Sequence, residues 1–302
     1  MAKWSGNSRG SLLGFRIFVF FIKNFGVRSA YAVLYFVAAY YFLFLKKSNL
    51  FIFKYFRKRL RWNFIRSKLA VFQSYLIFGK TIIDKTAISA GLRDQFTFEF
   101  DGIANLKKMM QDGKGGVLIS AHIGNFEIAE RFLEEIDFNY PINLITTDLE
   151  HNEIKAYLES VSQRKSTVKF IFIKEDLSHI FLINEALANN ELICFTGDRY
   201  FEGSKYLETE FLGKNAKFPA GPFHIASRLK VPVAYVYVMK EPHLHYHLYA
   251  RIAEVKHRDS QALLKSYVEN LENMLRKYPK QWFNYFDFWD EIDSEKRINQ
   301  KN

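Results

Sequence analysis

The first 83 residues contain no aspartate and no glutamate. They carry fifteen lysines and arginines and 22 phenylalanines, tyrosines or tryptophans. The remaining chain holds 28 basic and 32 acidic residues, a net of −4, so the whole formal charge of +11 is concentrated in the first quarter. Basic, aromatic and acid-free is a profile with two usual destinations. One is an anionic membrane surface, where cations meet lipid phosphates and aromatic rings settle at headgroup depth. The other is nucleic acid, where the same cations meet backbone phosphates.

Apolar continuity separates the two. Residues 17–22 (IFVFFI) form one greasy run, and residues 29–45 (SAYAVLYFVAAYYFLFL) are uncharged for 17 residues. A nucleic-acid surface has no use for such stretches. Seventeen residues sit at the lower limit for crossing a bilayer, and Arg28 and Lys46-Lys47 at the two ends could snorkel. The run is rich in Tyr and Phe, which equally suits helices lying in one leaflet. The plain alternative is a buried core helix of an unusually basic domain. The greasy region is too long for a cleaved leader, and no small-residue cleavage site follows it. Residues 50–68 alternate aromatics with Lys54, Arg57, Lys58, Arg59, Arg61, Arg66 and Lys68. On a helix this sets an apolar stripe beside a cationic face, suited to anionic phospholipid or an acidic carrier protein. A merely solvated basic face is the other option.

From about residue 84 the pattern changes. Residues 117–122, 142–147, 168–173, 191–197, 231–240 and 243–255 read as strands. Residues 124–136, 150–163, 177–190, 219–230 and 260–278 read as helices, the fourth opened by Pro219 in its first turn. This alternation predicts an α/β fold, a mixed and mostly parallel sheet flanked by helices, with the last hairpin supplying the antiparallel pair. The expected division is a basic, aromatic, membrane-associating helical region over 1–83 and an α/β domain over 84–302. At 302 residues and 49% hydrophobic, the chain can bury a substantial core. Its one cysteine, Cys194, excludes an intramolecular disulfide and fits a reducing compartment.

Several catalytic signatures are missing: a G-x-S-x-G elbow, a phosphate-binding P-loop, a G-x-G-x-x-G fingerprint and a zinc-binding His-Glu-x-x-His. What remains is His122-Ile-Gly-Asn-Phe-Glu127, at the exit of a predicted buried strand. Residues five apart on one helix diverge by about 140°. The two side chains can therefore meet only if His122 lies in the turn before the helix, which Gly124 permits. A carboxylate on an imidazole fixes its tautomer, and the other ring nitrogen can then take a proton from a hydroxyl. No nucleophilic Ser or Cys is adjacent in sequence, so that hydroxyl would belong to a substrate. Asp198-Arg199 ends another predicted buried strand at the same edge of the sheet, either as part of a site or as a structural ion pair. His243, His245 and His247 alternate along one strand and share a face; packing is their expected role, and no metal site is expected.

The AHIGNFE run (121–127) resembles the signature of the lysophospholipid acyltransferase superfamily. More narrowly, it is similar to the bacterial lipid A late acyltransferase branch, which has Glu where the glycerolipid branch has Asp. The likeness extends to Gly197-Asp198-Arg199, to FLGKNAKFPAGPFHIASRLKVPV (211–233) and to YPKQWFNYFDFW (278–289). The last segment lacks the basic ending typical of lipid A enzymes and is more similar to members associated with aryl-polyene or flexirubin pathways. The resemblance implies a glycerol-3-phosphate acyltransferase-like fold. It implies O-acyl transfer from acyl-ACP or acyl-CoA to a hydroxyl of a membrane lipid, either a lipid A precursor or an aryl-polyene-type lipid. It makes His122 the general base and Glu127 its orienting partner, and gives Arg164 a phosphate of donor or acceptor to hold. Asp198, Arg199 and Asn125 fall at the site, Asn125 bracing the turn or touching substrate. Residues 213–221 line the donor pocket, with Lys214 and Lys217 toward the pantetheine phosphate. No cofactor or metal is implied. The implied partners are acyl carrier protein, a lipid acceptor and the anionic inner-membrane surface, approached from the cytoplasmic side; nucleic acid is not among them. The competing expectation is a non-catalytic membrane- or nucleic-acid-binding protein in which His122 and Glu127 are structural.

Overall fold

The computed structural model describes residues 12–146, 168–174, 176–200 and 203–289. Helices α1 (Leu12–Phe25), α2 (Val27–Phe44) and α3 (Lys46–Lys54) open the chain, and a π-helical turn, Tyr55–Arg59, continues α3. Helix α4 (Phe64–Ser89) follows, capped by Asn63, whose side chain accepts the Arg66 amide at 2.8 Å. Helix α2 buries Val27, Ala30, Leu34 and Ala38, a stripe at helical spacing. It meets α4 where Gly79 removes a side chain: a Cβ there would stand 2.2 Å from Leu34 Cδ1.

The outward faces of these helices are not covered. Phe20, Phe36, Tyr40, Leu43, Phe44, Phe64, Ile65 and Leu69 are all exposed, Phe36 at 81%. Helix α2 is long and apolar enough to cross a membrane, with a mean hydropathy of 1.4 and 22% of the window buried. Exposed apolar surface of this kind marks an interaction face.

The body is a seven-stranded sheet in the order β1-β9-β8-β2-β5-β3-β4. Its strands are β1 (Thr97–Asp101), β2 (Gly116–Ser120), β3 (Ile142–Thr146), β4 (Lys169–Phe172), β5 (Leu192–Thr196), β8 (Val233–Glu241) and β9 (His245–Ala253). Every neighbouring pair is parallel except β8–β9, an antiparallel hairpin. The predicted α/β sheet is thus the observed one. A separate hairpin, β6 (Tyr206–Phe211) with β7 (Lys214–Pro219), packs Phe211 and Phe218 into the hydrophobic core.

Alternation along the central strands divides the core. Leu118, Cys194, Ala234 and Ala250 point to one face, packed on Leu106, Met109 and Met110 of α5 (Ile103–Gln111). Val117, Ile119, Ile193, Phe195, Val233 and Tyr235 belong to the larger cluster. That cluster includes α7 (Ser178–Ala188), α8 (Ala220–Arg228) and α9 (Ser260–Lys277), through residues such as Ile183, Phe223 and Tyr267. Strand β2 is buried throughout, as befits a strand with neighbours on both sides and cover on both faces.

Three local expectations differ from the structure. The segment after His122 is a 3₁₀ turn (Phe126–Ile128) followed by the short α6 (Ala129–Glu134), because the chain first makes a tight turn. Pro219 caps α8 from outside instead of occupying its first turn: its ψ of 129° is extended, and it still pairs with Tyr206 in the hairpin. Strand β1 and the β6–β7 hairpin carry no apolar run long enough to announce them. The predicted helix over 150–163 lies outside the described residues. The expected boundary at 83/84 falls inside α4, and Asp84, the first acidic residue of the chain, is fully buried there. It pairs with Lys240 of β8 at 2.7 Å and accepts hydrogen bonds from Tyr246 of β9 at 2.5 Å and from Tyr31 of α2. One carboxylate thus fastens the N-terminal helices to the sheet.

Candidate active site

Strands β2 and β5 run parallel with Ser120 opposite Thr196. Carried two residues further, that register sets His122 opposite Asp198. Asp198 Oδ1 lies 2.7 Å from His122 Nδ1 and accepts the His122 backbone N–H at 3.1 Å. Asp198 Oδ2 accepts the Trp282 indole N–H at 3.4 Å. The carboxylate has no exposed surface, whereas the imidazole keeps 27% of its side-chain surface open. A strand-end site in an open α/β sheet is the usual location for reactive groups.

The charges are mutually adjusted. Burial, and after it the Arg199 guanidinium, lower the His122 pKa below the ordinary imidazole value, against the opposing pull of Asp198. Burial alone would raise Asp198, but the attraction of His122, its hydrogen bond and Arg199 together hold the carboxyl below its usual range. The carboxylate is therefore the ionised partner, and Nδ1 donates to it. Nε2 is then the basic nitrogen of a neutral ring. Arg199 is itself half-buried and donates from Nη2 to the Phe283 carbonyl at 2.7 Å.

The turn that carries His122 is held from three sides. Gly124 adopts φ +64°, and its N–H donates to the Gln281 carbonyl at 3.0 Å. A Cβ at Gly124 would sit 2.1 Å from the Val238 carbonyl oxygen, so both the dihedral and the close approach require glycine. The Asn125 N–H donates to that carbonyl at 2.7 Å, and the Phe283 N–H donates to the His122 carbonyl at 3.0 Å. The Asn125 side chain is buried and donates to the Thr81 carbonyl of α4 at 2.9 Å. Asn125 thus braces the turn.

The resemblance places Glu127 at the imidazole, and the spacing permits it. In the structure the Nδ1 position is held by Asp198, and Glu127, exposed on the 3₁₀ turn, forms an ion pair with Lys85 of α4. The tight turn at Gly124–Asn125 redirects the chain toward α4, which accounts for the difference. Lys214 lines a cleft between the π turn, the β6–β7 turn and the 282–289 segment. Lys217 is 4% exposed, its Nζ 4.3 Å from the centre of the Tyr206 ring. Arg164 lies outside the described residues. Of the three histidines of the last hairpin, His243 is in the turn at φ +58°. His245 and His247 stand 3.5 and 3.6 Å from the carboxylate of Glu99 on β1, and His247 stacks on Tyr249. That carboxylate comes from a strand the sequence does not announce.

The pairing of Asp198 with His122 and the wall formed by Gln281–Asn284 are what spacing cannot supply. The first could be reached from the parallel pairing of two buried strands that end in His and Asp. The second lies more than 150 residues away from the turn and has no local signal.

A family model for bacterial lipid A biosynthesis acyltransferases matches residues 17–289. The chain belongs to that family. It is an acyltransferase of lipid biosynthesis, and the match runs from α1 to the Trp289 segment, so the helical layer and the sheet are parts of one family unit. The family is membrane-associated in bacteria, and the apolar helix α2 fits that setting. A search of curated proteins finds no match.

Proposed function

We propose that this acyltransferase moves a fatty acyl chain from a thioester donor, acyl-ACP or acyl-CoA, to a hydroxyl of a membrane lipid, with His122 as general base. The observation that carries the proposal is the 2.7 Å contact between His122 Nδ1 and the fully buried Asp198. Nε2 removes the acceptor hydroxyl proton as the oxygen attacks the thioester carbonyl. The C–O bond forms, the C–S bond breaks, and the proton leaves with the thiol. A thioester is already activated, so base assistance and oxyanion stabilisation suffice without a covalent enzyme intermediate. Asp198 takes the orienting role that the resemblance gave to Glu127: it fixes the tautomer and stabilises the imidazolium. Glu127, held on Lys85, is the second carboxylate of the site and sets the charge on the α4 side of the mouth. Arg199 keeps the resting imidazole neutral and is the cation available to developing negative charge. Arg164 is assigned to a substrate phosphate.

The chain would work at the cytoplasmic face of the inner membrane, with α1, α2 and the start of α4 lying against or in the lipid. The acceptor is a lipid A precursor-like or aryl-polyene-type lipid. The test is transfer itself. Detergent-purified wild type and His122→Ala are given labelled acyl-ACP or acyl-CoA and a total membrane lipid extract, and mass spectrometry identifies any new ester. Transfer by wild type, reduced about 10²–10⁴-fold by His122→Ala, is the expected result. Equal labelling by both proteins would remove His122 as the base.

A further inference from the structure

Residues 281–283 lie alongside the turn that carries His122, with Trp282 bridged to Ile123 in antiparallel register. The Gln281 side chain fastens this segment to β8: its Oε1 accepts the Lys240 N–H at 3.0 Å, and its Nε2 donates to the Lys240 carbonyl at 2.7 Å. On either side of Trp282 the main chain grips the turn. The Gln281 carbonyl accepts the Gly124 N–H and the Phe283 N–H donates to the His122 carbonyl, both at 3.0 Å. The Trp282 ring is thereby placed in the same frame as the imidazole. It is 4% exposed and meets Tyr55, Phe288 and Phe211 edge to face, at 5.0, 5.1 and 5.5 Å between ring centres.

A phenylalanine ring could make the same kind of edge contacts. What only the indole adds is an N–H that donates and never accepts, and it points at Oδ2 of Asp198, 3.4 Å away. Among the described residues this is the only donor to Oδ2, because both His122 N–H groups go to Oδ1. Asp198 has no exposed surface, so bulk water does not take the indole's place. Trp289 gives the contrast. Its ring packs in the same cluster, 5.9 Å from Trp282, and its Nε1 has no hydrogen-bond partner among the described residues. The wall thus accommodates an indole for packing alone, and the bond made by Trp282 is an addition to packing. A carboxylate torsion is broad and two-fold, so a carboxylate held at one oxygen only can tilt away from the imidazole.

We propose that Trp282 is a positioning residue for acyl transfer: its N–H holds Oδ2 and so keeps the Asp198 carboxylate in the plane that presents Oδ1 to His122 Nδ1. Trp282 acts through Asp198, and removing its N–H leaves the base in place but poorly held. The inference rests on His122 as general base. It adds to the His122–Asp198 pair a third member drawn from the C-terminal part of the chain.

The experiment uses the full-length protein in detergent, with two replacements at position 282. Trp282→Phe keeps an aromatic ring. The second, 3-benzothienylalanine placed by codon suppression, keeps the whole indole shape with sulfur in place of the N–H, and so covers the case in which the smaller ring unfolds the wall. Trp289→Phe is the control, and each change is made in wild type and in Asp198→Asn. In the wild-type background both replacements of Trp282 should lower kcat about tenfold or more, with donor and acceptor KM within about twofold. In Asp198→Asn the same replacements should lower kcat by less than about twofold, because the group they act through is already gone. Trp289→Phe should leave kcat within about twofold of its background. A second readout is independent of turnover. In protein labelled with ¹⁵N-histidine, the Nδ1–H resonance of His122, assigned with His122→Ala, should persist in Trp289→Phe and be lost to exchange with water, or shifted upfield, in both Trp282 variants. A loss of kcat of equal size in the two backgrounds would overturn the proposal, as would an unchanged kcat or an unchanged Nδ1–H resonance in the Trp282 variants. Full turnover by His122→Ala would instead remove the base on which the proposal rests, and the Nδ1–H resonance would still decide whether Trp282 holds the pair.

Discussion

Asp84 and Asp198 are both fully buried, and the regions around them use a buried carboxylate in opposite ways. Around Asp84, a lysine and two tyrosines from three different elements converge on the two oxygens. Asp198 takes a backbone amide, an indole N–H and one nitrogen of an imidazole whose edge still reaches the surface. The first arrangement ties secondary-structure elements together. The second orients the imidazole of the proposed base. What distinguishes a reactive buried carboxylate from a structural one is therefore whether its partner has chemistry left.

Substituting each in turn should separate the two jobs. Asp198→Asn keeps the shape but replaces the ionised partner, so the imidazole loses both its fixed tautomer and the stabilisation of its cation; kcat should fall by about 10³–10⁴ with the fold intact. Asp84→Asn leaves Lys240 buried without its counterion and should cost roughly 3–5 kcal/mol of stability, read as a lower midpoint of thermal unfolding in detergent. Molecules that remain folded should still turn over. Gly124→Ala touches both regions, because the turn it occupies leans on β8 while carrying His122. The left-handed dihedral and the clash with the Val238 carbonyl should cost roughly 1–3 kcal/mol and lower kcat as well, measured on the same preparation. The smallest effect is on pH dependence. His122 must be neutral to accept a proton, and its pKa is lowered by burial and by Arg199, so activity should fall on acidification only below the ordinary imidazole range of about 6.5. Arg199→Gln removes one of the two depressing causes. The pKa should rise, and the acidic limb of the pH–kcat profile should move to higher pH. An unmoved limb would mean that the limb reports another group.

The two regions were not equally legible in the sequence. Six of the seven sheet strands announced themselves as short apolar runs, and the turn announced itself through His122, Gly124 and the strand preceding them. Asp198 was visible as a strand-end residue, but the register that sets it against His122 depends on which strands are neighbours, and no periodicity states that. Glu127 illustrates the limit of local spacing: five residues is near in sequence, yet a tight turn sends its side chain to α4. Asp84 was hidden differently. Its membership in a long helix and its pairing with Lys240, over 150 residues on, leave no local trace. The absence of acids before it was plain, however, and explains why the first carboxylate of the chain serves to dock a wholly basic helical layer.

The central claim is that Asp198, and not merely some buried acid, holds the base. Its most direct test is to measure kcat and the unfolding midpoint together for Asp198→Asn and Asp84→Asn, at saturating donor and acceptor. The predicted result is a crossed pattern: Asp198→Asn loses about 10³–10⁴ in kcat with a midpoint close to wild type, and Asp84→Asn loses stability with kcat per folded molecule nearly unchanged. An Asp198→Asn protein that is folded and turns over within tenfold of wild type would contradict the account.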